Sequence, residues 1–74
     1  RSLQDETVGE VRQAINQLST EHKAIIILRE INQYNYNEIA EILDCSLGTV
    51  KSRIARARNS LKEIIISNRE QNTT

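Results

Sequence analysis

The 74-residue sequence predicts a single all-α domain of four helices. Two observations support this fold class. Apolar residues recur at spacings of three and four along most of the chain, which is the period of an amphipathic helix. The chain also has no proline and only two glycines, and it lacks the alternating runs and turn dipeptides that indicate strands and hairpins. A chain of this length supports one small core.

The first two helices are predicted from their apolar spacing. We expect residues 1–7, which are polar and acidic, to form a linker end or a frayed terminus. The first helix has its apolar stripe at Val8, Val11, Ile15 and Leu18. Ser19 is a suitable N-cap for the second helix. Its predicted inward face is Ala24, Ile27, Leu28 and Ile31, which leaves Ile25 and Ile26 pointing elsewhere. This helix is therefore either central or offers surface to a partner, and a small domain favours the central position.

Residues 35–58 predict two helices joined by a tight turn. Asn35 is a good N-cap, and Glu38 stands at the position that completes a capping box. The short helix that follows has Ile39, Ala40 and Leu43 on one face, and residues 44–46 interrupt its period. Ser46 is the expected cap of the last helix. The buried stripe of that helix is Val50, Ile54, Ala57, Leu61, Ile64 and Ile65. The domain proper is thus predicted to span residues 8–66, with a flexible tail at 67–74.

Charge is distributed unevenly along a chain whose net charge is zero. Residues 1–44 sum to −4 and residues 63–74 to −1, whereas residues 45–62 carry five basic residues and no acidic one. The five are Lys51, Arg53, Arg56, Arg58 and Lys62. Such polarity directs a polyanion to one face. A solvated helix surface explains most charge clusters, so charge alone leaves both interpretations open.

Two helices joined by so tight a turn, with cations on the second, indicate a helix-turn-helix that reads the DNA major groove. At 100° per residue, the side opposite the buried stripe holds Lys51, Ser52, Ala55 and Arg56 near the helix start. Arginine suits the paired acceptors of guanine, serine and lysine can bond bases or phosphates, and an alanine methyl can contact thymine. Gly48 and Thr49 lie in the first helical turn, where free N–H groups attract a phosphate.

Other chemistry-bearing residues have simpler interpretations. Arg53 lies close to the buried stripe, which favours an ion pair with Glu38 or Glu41, and Arg58 lies on the other flank, where its role stays open. We interpret Tyr34 and Tyr36 as core-packing residues whose hydroxyls reach water. The single cysteine, Cys45, fits a small buried residue in a reducing cytoplasm. No metal-spaced cluster, nucleophile–base pair or phosphate loop occurs, so we expect no cofactor, no small-molecule substrate and no enzyme activity. No apolar run is long enough for a membrane span.

Taken together, these residues resemble region 4 of a bacterial sigma-70 family factor of the extracytoplasmic-function (ECF) type. The resemblance covers about residues 11–65. It rests on four stretches: Leu18-Ser19-x-x-x-Lys23, Leu28-Arg29-Glu30, Tyr36-x-Glu38-Ile39-Ala40-Glu41, and the run from Gly48 to Leu61. The chain departs from the family pattern at three places. Ser19 stands where proline is common, Gln33 where a glycine often follows the second helix, and Ala55 where a bulky side chain is frequent.

The resemblance implies a four-helix domain of the sigma region 4, or winged-helix-like, type. It implies binding to the −35 promoter element in double-stranded DNA as part of RNA polymerase holoenzyme. The matching DNA-contacting positions are Arg29, Lys51, Ser52, Ala55 and Arg56, with Arg29 expected on the DNA backbone. The resemblance also implies contact with the flap of the polymerase β subunit and capture by an anti-sigma factor. We assign Ile26 and Ile66 as apolar surface for such partners.

Two other classes compete with this interpretation. A DNA-binding domain of a LuxR-type response regulator shares the four-helix plan, but the run from Ser52 to Arg58 argues against it. A helical bundle that binds only proteins, with its basic helix against an acidic partner, would bind no duplex DNA even at low salt. The chain begins at Arg1 and contains no methionine, so we expect it to be part of a longer protein.

Overall fold

The computed structural model describes the backbone of residues 2–72 and the side chains of residues 8–71. Its four helices are α1 (Ser2–Asn16), α2 (Thr20–Ile26), α3 (Tyr36–Leu43) and α4 (Leu47–Asn72), and α2 runs directly into a π-helical turn, Ile27–Ile31. The all-α, four-helix prediction is confirmed. Residues 2–72 contain no β-strand, so the helix-turn-helix formed by α3 and α4 has no wing within them. None of the described helices has both the length and the apolarity to cross a membrane.

Side-chain caps start three of the four helices, as the sequence predicts. The Ser19 side chain accepts a hydrogen bond from the His22 N–H at 3.4 Å and caps α2. Asn35 Oδ1 accepts from the Glu38 N–H, and Glu38 Oε1 accepts from the Asn35 N–H, both at 2.8 Å. Ser46 Oγ accepts from the Thr49 N–H at 3.1 Å. These bonds satisfy N–H groups that a helix start leaves without backbone partners.

We expect Asn35→Ala to lower the free energy of unfolding by about 1 kcal/mol, because it deletes the acceptor for the first turn of α3. The matched control is Glu38→Gln, whose amide oxygen can still accept from the Asn35 N–H. Urea unfolding followed by circular dichroism measures both variants. An Asn35→Ala midpoint equal to that of the wild type would show that the capping box does not stabilise α3.

The core lies where α2 crosses α4, with α1 and α3 packed on either side. Its buried members are Ala14, Ile15, Leu18, Ile25, Ile26, Ile39, Val50, Ile54 and Ala57. The predicted stripe of α4 is confirmed up to Ile64, since Val50, Ile54 and Ala57 are buried and Leu61 and Ile64 pack against the same cluster. Ile65, the last residue of the predicted stripe, is half-buried and lies outside that cluster. α3 turns Ile39 fully inward, with Ala40 and Leu43 beside it.

The predicted inward face of α2 is only partly right. Ile27 and Leu28 are half-buried and pack against the core cluster, as predicted. Ile25 and Ile26 are only 1% and 0% exposed, while Ala24 is exposed and Ile31 is 57% exposed. One reason is that α2 contacts both α1 and α4, so it buries two adjacent residues instead of a single stripe. The other is the π-helical turn, whose wider turn carries Ile31 outward relative to a continuous α-helix. The central position of α2 is confirmed, and the assignment of Ile26 to a partner surface is corrected: it is core.

The first and last helices extend further than the sequence predicts. α1 begins at Ser2 and α4 continues to Asn72, so the residues predicted as a linker end and a flexible tail are helical in 2–7 and 67–72. Near these ends, Arg69 donates from Nε and Nη2 to the two Glu10 carboxylate oxygens, each at 3.1 Å. Polar helical turns held by an ion pair show no apolar period, which is why the sequence does not reveal them. The division into linker, domain and tail otherwise stays a prediction, and residues 1, 73 and 74 lie outside the described part.

One residue with a left-handed backbone conformation ends α3, and another follows the π-helical turn. Asp44 has φ 54° and closes α3, with the Cys45 N–H bonded to the Ala40 carbonyl at 3.0 Å. Gln33 has φ 62° just after the π-helical turn. Gln33 thus adopts the conformation that favours glycine, at the position where glycine is usual in proteins it resembles.

Candidate nucleic-acid interface

The N-terminal half of α4 carries an open polar face, here called the α4 outer face and defined as Lys51, Ser52, Ala55 and Arg56. All four residues are exposed. On the opposite side of the same turns, Val50, Ile54 and Ala57 are 0%, 2% and 0% exposed. The buried stripe therefore anchors the helix and turns the outer face to solvent. Lys51 and Arg56 make no ion pair or hydrogen bond with any residue that the structure describes, so both cations remain available.

The first turn of α4 is only partly as predicted. The Thr49 N–H is not free, because it donates to Ser46 Oγ, and the Val50 N–H bonds to the Ser46 carbonyl at 3.0 Å. The Leu47 and Gly48 N–H groups have no partner among the described residues, which leaves two donors at the helix start. Ser46 Oγ also donates to Thr49 Oγ1 at 2.9 Å, which leaves the Thr49 hydroxyl proton for an outside acceptor. Gly48 is exposed, and a Cβ there would meet only Ser46 Oγ, at 4.0 Å.

Of the two arginines beside the outer face, one has an acidic partner in the structure and the other has none among the described residues. Arg58 bonds to Glu30 of the π-helical turn, with 2.9 Å between Nε and Oε2. This carboxylate contact raises the pKa of the Arg58 guanidinium above its ordinary value. The predicted ion pair of Arg53 with Glu38 or Glu41 does not occur. Glu38 holds the Asn35 N–H in the capping box, and Arg53 stays half-buried without an acidic partner among the described residues.

Arg29 has internal partners that sequence reasoning missed. Its Nη1 donates to the Tyr34 carbonyl at 2.9 Å, and its guanidinium carbon lies 5.1 Å from the centre of the Tyr36 ring. Tyr36 packs against the core as predicted, whereas Tyr34 is 38% exposed. Arg29 therefore lies half-buried at the corner between α2 and α3. An arginine five residues before a tyrosine pair is the only sequence signal for this contact, and it is a weak one.

An apolar groove between α1 and α4 is the second surface of note, and the sequence did not predict its shape. It has a volume of about 540 Å³. Its apolar lining is Val11, Ile15, Ile26, Leu61, Ile65 and Ile66. The Glu30–Arg58 pair and Arg69 border it, and Ile66 is 45% exposed beside it. Arg69, on this border, is also bonded to Glu10 of α1, and its hydrogen bonds lower the pKa of the Glu10 carboxyl group. We call this surface the α1–α4 groove.

The described part of the chain contains no cluster of metal ligands and no reactive pair that includes its cysteine. No group of three or more histidine, cysteine, aspartate or glutamate side chains there could hold a metal ion. Cys45 is a free thiol, half-buried against the core cluster, as its interpretation as a packing residue predicts. Two surfaces of the described residues are candidate contact surfaces, namely the α4 outer face and the α1–α4 groove.

The fold defines a helix-turn-helix domain, and the second helix of that unit carries the exposed α4 outer face. The family profile described as Sigma-70, region 4 matches residues 9–61, well over half of the chain. The chain therefore belongs to the sigma-70 region 4 family, and its relatives named as ECF factors place it in that group, as the resemblance implied. Because residues 2–72 contain no β-strand, the fold is of the region 4 type and not a winged helix.

Three relatives show how the chain compares with whole sigma factors. It is 39% identical to "RNA polymerase sigma factor YlaC" of Bacillus subtilis over 96% of this chain and 39% of that protein. It is 38% identical to "RNA polymerase sigma-H factor" of Pseudomonas aeruginosa over 85% of this chain and 33% of that protein. It is 47% identical to "ECF RNA polymerase sigma-E factor" of Haemophilus influenzae over 69% of this chain and 27% of that protein. The chain thus spans between about a quarter and two fifths of these relatives.

Proposed function

We propose that this domain binds the −35 element of bacterial promoters as part of a sigma factor that directs RNA polymerase to start transcription. The observation that carries the proposal is the α4 outer face, which combines unpaired cations with a buried stripe directly beneath. The role is one of binding and positioning, without catalysis by the domain itself. A factor of this kind works in the cytoplasm, where promoter DNA and polymerase are found.

The proposed docking places the N-terminal half of α4 in the major groove, as in other helix-turn-helix domains. Arg56 then offers a planar pair of donors to guanine O6 and N7. Lys51 and Ser52 reach bases or phosphates, and the Ala55 methyl meets a thymine methyl. Because Ala55 is small, we expect its contact to be weaker than that of a bulky residue at the same place.

The start of α4 is the proposed phosphate contact. The Leu47 and Gly48 N–H groups point to the same end as the positive pole of the helix dipole, an arrangement that favours an anion. Among the described residues, Gly48 has no neighbour that requires a glycine, so its missing side chain is available for close approach of a DNA phosphate. The Thr49 hydroxyl adds a donor at the same end.

The α1–α4 groove is the proposed contact for protein partners, namely the β flap of RNA polymerase and an anti-sigma factor. An apolar groove with charged borders suits an amphipathic helix, which buries one face and leaves the other in water. Ile66 keeps its assignment to this surface. Ile26 contributes only from the floor, since it is fully buried in the core.

Selection from a randomised duplex pool tests the proposed function, followed by a binding series in salt. We expect the chain to enrich a defined sequence and its affinity to fall linearly with the logarithm of salt concentration. Lys51→Met should reduce the slope by about 0.9 where Lys51 contacts a phosphate, and should instead lower the preference for the selected sequence where Lys51 contacts a base. Lys62→Met is the matched control, because Lys62 borders the α1–α4 groove, and its slope should equal that of the wild type. No duplex binding at low salt would favour a purely protein-binding helical bundle.

A further inference from the structure

We infer that Arg29 is a positioning residue, which fixes the corner between α2 and α3 and makes no phosphate contact of its own. This inference rests on the proposed DNA-binding function and departs from the backbone contact that the family resemblance implies for Arg29. It concerns how the α4 outer face acquires its orientation toward DNA.

The corner is held by contacts on both of its sides. The Arg29 side chain rises from the π-helical turn and bonds to the carbonyl of Tyr34, one residue before the N-cap of α3. Its guanidinium carbon also lies over the ring of Tyr36, the first residue of α3, at 5.1 Å from the ring centre. One side chain thus connects the end of α2 to both residues that flank the start of α3.

The backbone of this corner needs such a support. The Asn32 N–H reaches back to the Ile27 carbonyl and the Tyr34 N–H to the Leu28 carbonyl, so the chain leaves α2 through widened turns. Gln33 then takes a left-handed conformation that L side chains rarely adopt. A backbone segment that contains a rarely populated conformation keeps that conformation only when contacts with its surroundings hold it.

The corner also controls the outer face. α3 packs on α4 and on the π-helical turn, and Ile39 of α3 shares the core with Val50 and Ile54 of α4. We expect a shift of α3 relative to α2 to disturb the packing of α3 on the start of α4, which is the part of α4 that carries the outer face. Lysine is a poor replacement for Arg29 in this role, because one compact ammonium group cannot reproduce the extended guanidinium that bonds the Tyr34 carbonyl through Nη1 while its central carbon lies over the Tyr36 ring.

Arg29→Met and Arg29→Lys separate positioning from phosphate binding. Three measurements are needed. The salt slope with a 20-base-pair duplex of arbitrary sequence reports phosphate contacts, and the ratio of affinities for the pool-selected and the arbitrary duplex reports specificity. Amide hydrogen exchange reports the stability of the corner. We expect both variants to keep the wild-type salt slope and to lose roughly tenfold in the affinity ratio, the scale of one base contact. We expect the Tyr34 and Glu38 amides to exchange several-fold faster, while the Val50 amide is unchanged.

Tyr36 supplies an independent pair of variants in case Arg29→Met does not fold. Tyr36→Phe keeps the ring and should behave as the wild type, whereas Tyr36→Leu should reproduce the loss in affinity ratio. A salt slope that falls by about 0.9 in Arg29→Met and returns in Arg29→Lys would identify a phosphate ligand and overturn the inference. If the wild-type chain binds no duplex, the proposed function fails, and the exchange data still decide: unchanged Tyr34 exchange in Arg29→Met would overturn the positioning role.

Discussion

Ile26→Ala is expected to remove about 2–5 kcal/mol from the free energy of unfolding, because it deletes a fully buried side chain and leaves a cavity where α2 meets α1 and α4. A 74-residue domain typically has only roughly 4–11 kcal/mol of stability. The variant should therefore lose a large share of the stability of the domain. Urea or thermal unfolding followed by circular dichroism measures the effect.

Ile66→Ala is the matched control for this prediction. The residue type and the change are the same, both residues contact the α1–α4 groove, and the sequence assigns both to a partner surface. Ile66 is 45% exposed, so its truncation should cost less than about 1 kcal/mol. Equal effects for the two variants would contradict the burial of α2 at the centre of the core.

Arg56→Ala is expected to weaken binding of the selected duplex by about 1–3 kcal/mol, or roughly 5–150-fold, because it removes paired donors to a guanine. In the complete sigma factor, we expect the same change to abolish activation at the cognate promoter. The fold should be intact, since the Arg56 side chain is exposed and has no partner in the described part of the chain. Fluorescence anisotropy and promoter-dependent transcription measure the two effects.

Arg58→Ala serves as the control on the same helix. Arg58 is two residues further along, but its guanidinium is held by Glu30, and the exposed pair should contribute at most about 1 kcal/mol to stability. We expect near wild-type affinity for the selected duplex. Normal transcription by Arg56→Ala, or an equal loss for Arg58→Ala, would show that the face in contact with DNA is not the one proposed.

Local chemistry explains which structural features the sequence reveals. Each of the caps at Ser19, Asn35 and Ser46 joins a side chain to the backbone N–H three residues later. A short stretch of sequence is therefore enough to predict it. The stripe of α4 is equally plain, because one face of a long helix packs on a single core. From that stripe, the exposure of Lys51 and Arg56 follows directly.

Tertiary context decides the features that the sequence could not reveal. The inward face of α2 depends on its contacts with two helices and on a π-helical turn that no residue type announces. The Arg29 contacts depend on the path of residues 32–35, where Gln33 adopts a conformation more typical of glycine. The α1–α4 groove depends on how α1 packs on α4, and its border residue Arg69 lies in a helical stretch of α4 without an apolar period.

An NMR titration of the 15N-labelled chain with the pool-selected duplex tests the central claim most directly. We expect the largest amide shifts at Gly48, Lys51, Ser52, Ala55 and Arg56, with Ile65 and Ile66 nearly unchanged, because DNA covers the start of α4 and leaves the α1–α4 groove free. Shifts concentrated along the groove, with the α4 outer face unaffected at saturation, would contradict the assignment of that face to DNA.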